Sequence, residues 1–265
     1  MPIDPMTKNK NQGPQTQNKV TALDYKSPNI PTWCPGCGNF IINSMLAQAL
    51  AELNLAPHQV ALVYDIGCNG NGADKIRGQV VKSLHGRPIP VALGIKLARP
   101  ELKVIANGGD GGLLWEGVSH LIAAAHRDYP ITVLIWDNQI YGLTTGQSSP
   151  TTQTGFKTPT YPQGTPYTPI EPVSLMLASK ARFVARTYTG DPIHLKETIK
   201  QAISFDGFAV VDIRQNCASY NPTNEYYKNR VEKLKEPFKD TAKAIEYAQS
   251  QEPVYMGTFR ATAQR

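Results

Sequence analysis

Apolar residues recur at helical spacing between Gly38 and Leu55: Phe40, Ile41, Met45, Leu46, Ala49, Leu50 and Leu53. That period predicts a helix with one face turned to a core. Val60 to Ile66 reads VALVYDI, a short apolar run rich in branched residues, as a strand covered on both faces requires. It ends in a glycine- and asparagine-rich loop, Gly67–Gly72, around Cys68. A second helix fits Leu84 to Ala98 and breaks at Pro100. Then comes a compact unit of strand Leu102–Ala106, loop NGGDGG (107–112), helix Leu113–Arg127 and strand Ile131–Trp136. From Thr144 to Pro172 the chain turns rich in Thr, Pro, Gly and Tyr. A loop of that length inside a domain is functional or disordered, and we expect a lid or interface over a site. A helix before Arg182, strand Phe183–Tyr188, helix Ile193–Phe205 and strand Phe208–Ile213 restore the alternation. Strands alternating with helices predict an α/β fold, a mostly parallel sheet with helices on both faces.

The chain divides into three parts on this reading. Residues 1–30 form a polar, disordered lead-in, residues 31–222 one domain, and residues 223–265 a charged helical tail. Within that tail, Lys228 to Lys243 reads as a solvated amphipathic stretch. No internal repeat is visible.

Composition narrows the function classes. With 265 residues, 41% of them apolar, a sizeable core is available. The net charge of +6 comes without the dense Lys/Arg blocks of a nucleic-acid arm. It suits instead an acidic protein or a phosphorylated cofactor. The first twenty residues carry no apolar signal core, and no stretch reaches the length needed to cross a bilayer. We therefore expect a cytoplasmic protein with neither nucleic acid nor membrane as partner. Thiols stay reduced in that compartment, so the four cysteines are expected to be ligands or redox groups.

The loop NGGDGG lies at the end of a strand and opens a helix, where open α/β sheets bind ligands. Its glycines admit close backbone approach, and the helix start favours phosphate. It has neither the spacing of a dinucleotide fingerprint nor the Lys-Ser/Thr of a phosphate loop. It does have a carboxylate, Asp110. A carboxylate beside a diphosphate makes sense with a cation between them, and Mg²⁺ fits. A second ligand is expected from the end of the next strand, Trp136-Asp137-Asn138-Gln139-Ile140. Gly109-Asp110-Gly111 followed by Asp137-Asn138 resembles the thiamine diphosphate motif, a GDG with an asparagine about 25 residues on. The resemblance implies Asp110, the Asn138 side chain and the Ile140 carbonyl as Mg²⁺ ligands. One departure is that relatives often carry Asn-Asn where this chain has Asp137-Asn138.

Cys34 and Cys37 (Trp-Cys-Pro-Gly-Cys) read as a dithiol, as half of a zinc site, or as two ligands of an iron–sulfur cluster. A thioredoxin-like dithiol needs a preceding strand, and residues 1–30 show no strand pattern. Cys68 and Cys217 stand singly, each just after an apolar strand. Parallel strands deliver their ends to one rim, where the GDG loop also lies, and four thiolates gathered there suit an Fe₄S₄ cluster.

Cys34-Pro-Gly-Cys37-Gly, Ile66-Gly67-Cys68, Leu84-His85-Gly86-Arg87, Gly109-Asp110-Gly111, Tyr141-Gly142-Leu143-Thr144 and Ser149-Pro150-Thr151-Thr152 occur in this order. Together they resemble the β subunits of 2-oxoacid:ferredoxin oxidoreductases, from about Pro31 to Tyr220. The resemblance implies a thiamine diphosphate-binding fold and one Fe₄S₄ cluster on Cys34, Cys37, Cys68 and Cys217. It implies oxidative decarboxylation of a 2-oxoacid, 2-oxoglutarate or pyruvate, with coenzyme A as acyl acceptor and ferredoxin as electron acceptor. It also implies an α subunit carrying the pyrimidine-binding domain.

His85 is the expected polar contact to substrate or cofactor, with a capping or core role as the alternative. Arg87 reads either as a carboxylate ligand or as a surface pair, and His126 as a structural cation at a helix end. Relatives often place Lys or Arg where this chain has Asn71, and Lys where it has Thr145, so Lys75 or Arg77 is a candidate replacement. Two other readings stay open: a non-redox thiamine-dependent decarboxylase subunit, and a dithiol or zinc protein without thiamine.

Overall fold

A computed structural model describes residues 19–263. The expected lead-in falls outside the described residues up to position 18. The main elements in chain order are α1 (Asn39–Glu52), β1 (Val60–Tyr64), β2 (Gln79–Lys82), α2 (Pro88–Ala98) and β3 (Lys103–Gly109). Then follow α3 (Val118–His126), β4 (Thr132–Asp137), the small hairpin β5 (Ile140–Tyr141) and β6 (Gln147–Ser148), and α4 (Pro172–Ala178). The chain ends with β7 (Phe183–Tyr188), α5 (Pro192–Ser204), β8 (Ala209–Arg214), α6 (Asn224–Lys228), β9 (Val231–Lys233), α7 (Thr241–Gln249) and β10 (Val254–Ala261).

Eight strands form one sheet in the order β2-β1-β3-β4-β8-β7-β10-β9. The first six run parallel, and β10 pairs antiparallel with β7. Side chains alternate between two cores, as a strand's two-residue period demands. Ala61, Val63, Val104, Val133, Ile135 and Val210 join the core that includes residues of α2, α3, α4 and α7. Leu62, Tyr64, Ile105, Leu134, Trp136, Val211 and Ile213 join the one that includes residues of α1 and α5. Two helix starts follow local rules: Asp191 accepts from the His194 amide ahead of Pro192, and Glu171 accepts from Val173 and Ser174.

The parallel register fixes where the loops emerge. Tyr64 lies opposite Asn107, Gly109 opposite Trp136, and Asp137 opposite Arg214. The loops after β1, β3, β4 and β8 therefore leave from one edge of the sheet, and they carry Cys68, Asp110, Asn138 and Cys217.

The segment expected to be a charged helical tail is built differently. It contains β9 and β10, and β10 adds to the sheet while burying Val254, Met256 and Phe259. Residues 231–233, inside the expected amphipathic stretch, form a strand parallel to β10. The polar alternation of VYMGTFRA is that of a strand with one covered face, masked in sequence by the charges before it. Residues 19–30 are also tied down: Tyr25 is buried, its hydroxyl donates to the Leu55 carbonyl at 2.6 Å, and Lys26 bridges to Ile76. The expected helix from Leu113 begins with a widened turn over Gly112–Glu116 before α3 proper. Strand β2 had no sequence signal because, at the sheet's margin, its side chains are mostly solvated.

Candidate active site

Close packing explains the glycines of the loop after β3. A Cβ at Gly111 would overlap the Tyr141 ring, and one at Gly112 would overlap the Asp65 carboxylate. Backbone thus lies where side chains cannot, as close approach to a ligand requires. Just before them Asp110 is buried, with the Thr151 hydroxyl donating to its Oδ2 at 2.8 Å. The same hydroxyl lies 2.9 Å from Asp137 Oδ1, so one threonine joins two buried carboxyl groups. Asp137 is also paired through Oδ2 with Arg214 at 3.1 Å. Burial pushes the Asp110 carboxyl up to about 6. It lifts Asp137 well above the ordinary carboxylate range, against the pull of Arg214. Burial penalises the charged carboxyls, and a cation placed beside them would offset that penalty, as expected of oxygen donors in a Mg²⁺–diphosphate site.

The turn after β4 brings the other expected groups alongside. Gln139 adopts a left-handed φ of 61°, its amide donates to Asp137 Oδ1 at 3.0 Å, and the Ile140 amide donates to Asn138 Oδ1 at 3.1 Å. Asparagine and aspartate fold such turns by bonding their own backbone two residues on. The Asn221 side chain donates to the Asn138 carbonyl at 3.0 Å and so ties this turn to the loop that carries Cys217.

All four cysteines are free thiols, and hydrogen bonds stitch their segments together. Trp33 Nε1 donates to the Cys68 carbonyl at 2.8 Å. The Gly38 amide donates to the Asn216 carbonyl at 3.0 Å, and Asn216 Nδ2 donates to the Gly36 carbonyl at 3.0 Å. Gly142 lies against two of the sulfurs, its Cβ position being 3.5 Å from Cys68 Sγ and 3.6 Å from Cys217 Sγ. Burial pushes the Cys37 thiol up to about 11 and Cys68 up to about 12, with the neighbouring sulfurs adding to both. Thiols so reluctant to ionise alone gain from shared positive charge. Among the described residues no three His, Cys, Asp or Glu side chains converge closely enough for one metal ion.

His85 lines the same cleft. Its Nδ1 is 3.4 Å from Asp65 Oδ1 and its Nε2 3.5 Å from Glu116 Oε1. Asp65 is fully buried, accepts from the Gly86 amide at 2.8 Å, and is raised above the usual carboxylate range by burial. Tyr141 donates its hydroxyl to Glu116 at 3.2 Å. The cleft, about 150 Å³, is bordered by Cys68, Asn69, His85, Asp110, Asn138 and Tyr141. Tyr141 and Thr144 also border a wider cavity of about 680 Å³, walled by Trp115 and the loop residues Tyr161 and Tyr167. The 144–172 loop thus reaches the site, through Thr151. Ile66 and Leu143 at the cleft mouth and Trp115 beside it remain exposed.

Several candidates lie elsewhere. Arg87 pins the Gly86 and Glu116 carbonyls rather than lining the cleft. Lys75 borders a separate groove with Trp33 and Phe40. Arg77 is exposed in the turn whose amide pairs with the Tyr25 carbonyl, and His126 is exposed at the end of α3. Sequence reasoning missed Asp65, Glu116 and Asn221. Thr151 stood in a quoted motif without a role. Asp65 at the end of an apolar strand was the one legible signal.

Comparisons with known proteins agree with this geometry. Residues 65–213 match the family described as "Thiamine pyrophosphate enzyme, C-terminal TPP binding domain". The chain is 49% identical over 208 residues to the 2-oxoacid:ferredoxin oxidoreductase subunit beta of Saccharolobus solfataricus, covering 77% of this chain and 68% of that one. It is 38% identical to the 2-oxoglutarate oxidoreductase subunit KorB of Mycobacterium tuberculosis, covering 80% of this chain and 57% of that one. Among solved structures, the 2-oxoglutarate:ferredoxin oxidoreductase from Magnetococcus marinus, with 2-oxoglutarate, coenzyme A and succinyl-CoA bound, superposes with a TM-score of 0.90. That likeness spans 95% of this chain and 88% of the other at 34% identity. The parallel sheet, the glycine cradle around Asp110 and these likenesses lead to one conclusion: the chain belongs to the family of 2-oxoacid:ferredoxin oxidoreductase β subunits.

Proposed function

We propose that this chain, joined to an α subunit carrying the pyrimidine-binding domain, oxidatively decarboxylates a 2-oxoacid to CO₂ and an acyl-CoA and passes the electrons to ferredoxin. Thiamine diphosphate supplies, when bound, the electron sink that lets CO₂ leave, and an Fe₄S₄ cluster carries electrons outward one at a time. In this reading Asp110, Asn138 and the Ile140 carbonyl hold Mg²⁺, and the backbone of Gly109 and Gly111 admits the diphosphate. Cys34, Cys37, Cys68 and Cys217 hold the cluster. His85, between Asp65 and Glu116, makes the polar contact to substrate or cofactor.

One observation carries the reading: the Cys68 and Cys217 sulfurs flank Gly142, in the same cleft wall as Asp110 and Asn138. A shared wall is what electron exit from a thiamine site requires. Size and surface support the proposed partner. A cleft of about 150 Å³ covers only part of such a cofactor, and its mouth is edged by exposed apolar side chains. Among the described residues no helix is long and apolar enough to cross a membrane. Cytoplasmic placement is part of the proposal, since ligand cysteines need a reducing compartment.

The test is coexpression with the α subunit and anaerobic purification. We expect a brown complex with about four irons per chain, bound thiamine diphosphate, and ferredoxin reduction that depends on 2-oxoglutarate or pyruvate together with coenzyme A. A colourless complex that decarboxylates without reducing ferredoxin would instead establish the non-redox decarboxylase. Absence of thiamine binding would leave the dithiol or zinc protein.

A further inference from the structure

Asn69 follows Cys68 directly and borders the cleft beside it, yet is only 4% exposed. Neither its carboxamide nitrogen nor its oxygen has a hydrogen-bond partner. Buried polar groups are seldom left so, and an orphaned amide facing a site points to a ligand that completes it. A second carboxamide repeats the pattern. Asn39, two residues after Cys37, is fully buried with both side-chain polar atoms unpaired, while its backbone amide donates to the Cys37 sulfur. Each cysteine segment thus carries one buried carboxamide whose nitrogen is a free donor, which an acceptor such as a cluster sulfur would satisfy.

We propose that the Asn69 carboxamide donates a hydrogen bond to a sulfur of the Cys68 end of the cluster and so sets its reduction potential. Donors to cluster sulfurs favour the reduced, more negative form and raise the potential. Asn69 is then a positioning residue for electron transfer, touching neither Mg²⁺ nor the oxoacid. The inference rests on the proposed function, and the experiment separates the two.

The α/β complex, purified anaerobically, is titrated with dithionite while the reduced cluster's electron paramagnetic resonance signal is followed. Absence of iron and of any such signal from the wild type refutes the functional reading. Given a wild-type signal, Asn69→Ala is expected to titrate at a more negative potential and Asn69→Ser, which keeps a shorter donor, to lie between the two. Asn69→Ala with the wild-type potential overturns the proposal, and does so equally if the KM for the oxoacid rises, since the amide then serves substrate. Should Asn69→Ala fail to hold iron, retention of iron with a lowered potential in Asn69→Ser supports the hydrogen bond. Loss of iron from both variants, or an unshifted potential in Asn69→Ser, overturns it.

Discussion

Asp110→Asn is expected to make the metal-free protein more stable while abolishing the proposed Mg²⁺ site. Asp110 is 2% exposed, and its carboxyl is lifted by burial from 3.8 to about 6. A rise of about two units, at about 1.36 kcal/mol per unit, means that ionising it in the folded chain costs about 3 kcal/mol of stability. The sign follows from the direction of the shift. The folded state holds the proton more tightly than the unfolded one, so the cost is absent at pH values below the unfolded pKa. It grows as the pH rises through the window from 3.8 to about 6, and is complete above it. The carboxamide introduced by the substitution still accepts from Thr151, carries no charge, and removes a repulsion that Asp137 feels from Asp110. Urea denaturation of metal-stripped wild type and Asp110→Asn, from pH about 8 down to about 4.5, isolates the effect as a difference. The variant should be more stable by up to about 3 kcal/mol at the alkaline end, with the gap closing on acidification. Adding Mg²⁺ and thiamine diphosphate should stabilise the wild type alone. A variant no more stable than the wild type at pH about 8, or a gap that widens in acid, would refute the reasoning.

Three further outcomes are expected. Arg214→Met leaves Asp137 and Asp212 without their shared buried partner, now held at 3.1 and 3.0 Å, and should cost about 3–5 kcal/mol in chemical denaturation. Gly111→Ala drives a methyl group into the Tyr141 ring and should eliminate thiamine diphosphate binding in calorimetry even where the variant stays folded by circular dichroism. The purified chain without its α subunit should show no oxoacid-dependent ferredoxin reduction, and turnover by the isolated chain would remove the need for a partner.

The α/β alternation and the glycine loop were legible because local periodicity and composition encode them. Val60–Tyr64 is a run of branched and apolar residues of the kind a strand covered on both faces requires. The reach of Thr151 to both Asp110 and Asp137 was not legible, because it spans 41 residues and depends on how the 144–172 loop folds back. Asp65 and Glu116 meet His85 from different loops, a convergence that only tertiary register creates. Strand β10 was hidden for a different reason: its neighbours are charged, and its antiparallel pairing with β7 has no local signature. Lys75 shows the opposite error, in that a cation near in sequence to Asn71 turns towards another groove.

The bonds from Trp33 to Cys68, from Gly38 to Asn216 and from Asn216 to Gly36 are made entirely by polypeptide. On the proposed function, maturation is then expected to occur late: these bonds need no cluster, so iron and sulfide delivered to the folded chain should be taken up at the four cysteines without refolding it. Reversible stripping and reloading of the same molecules follows from that order of events.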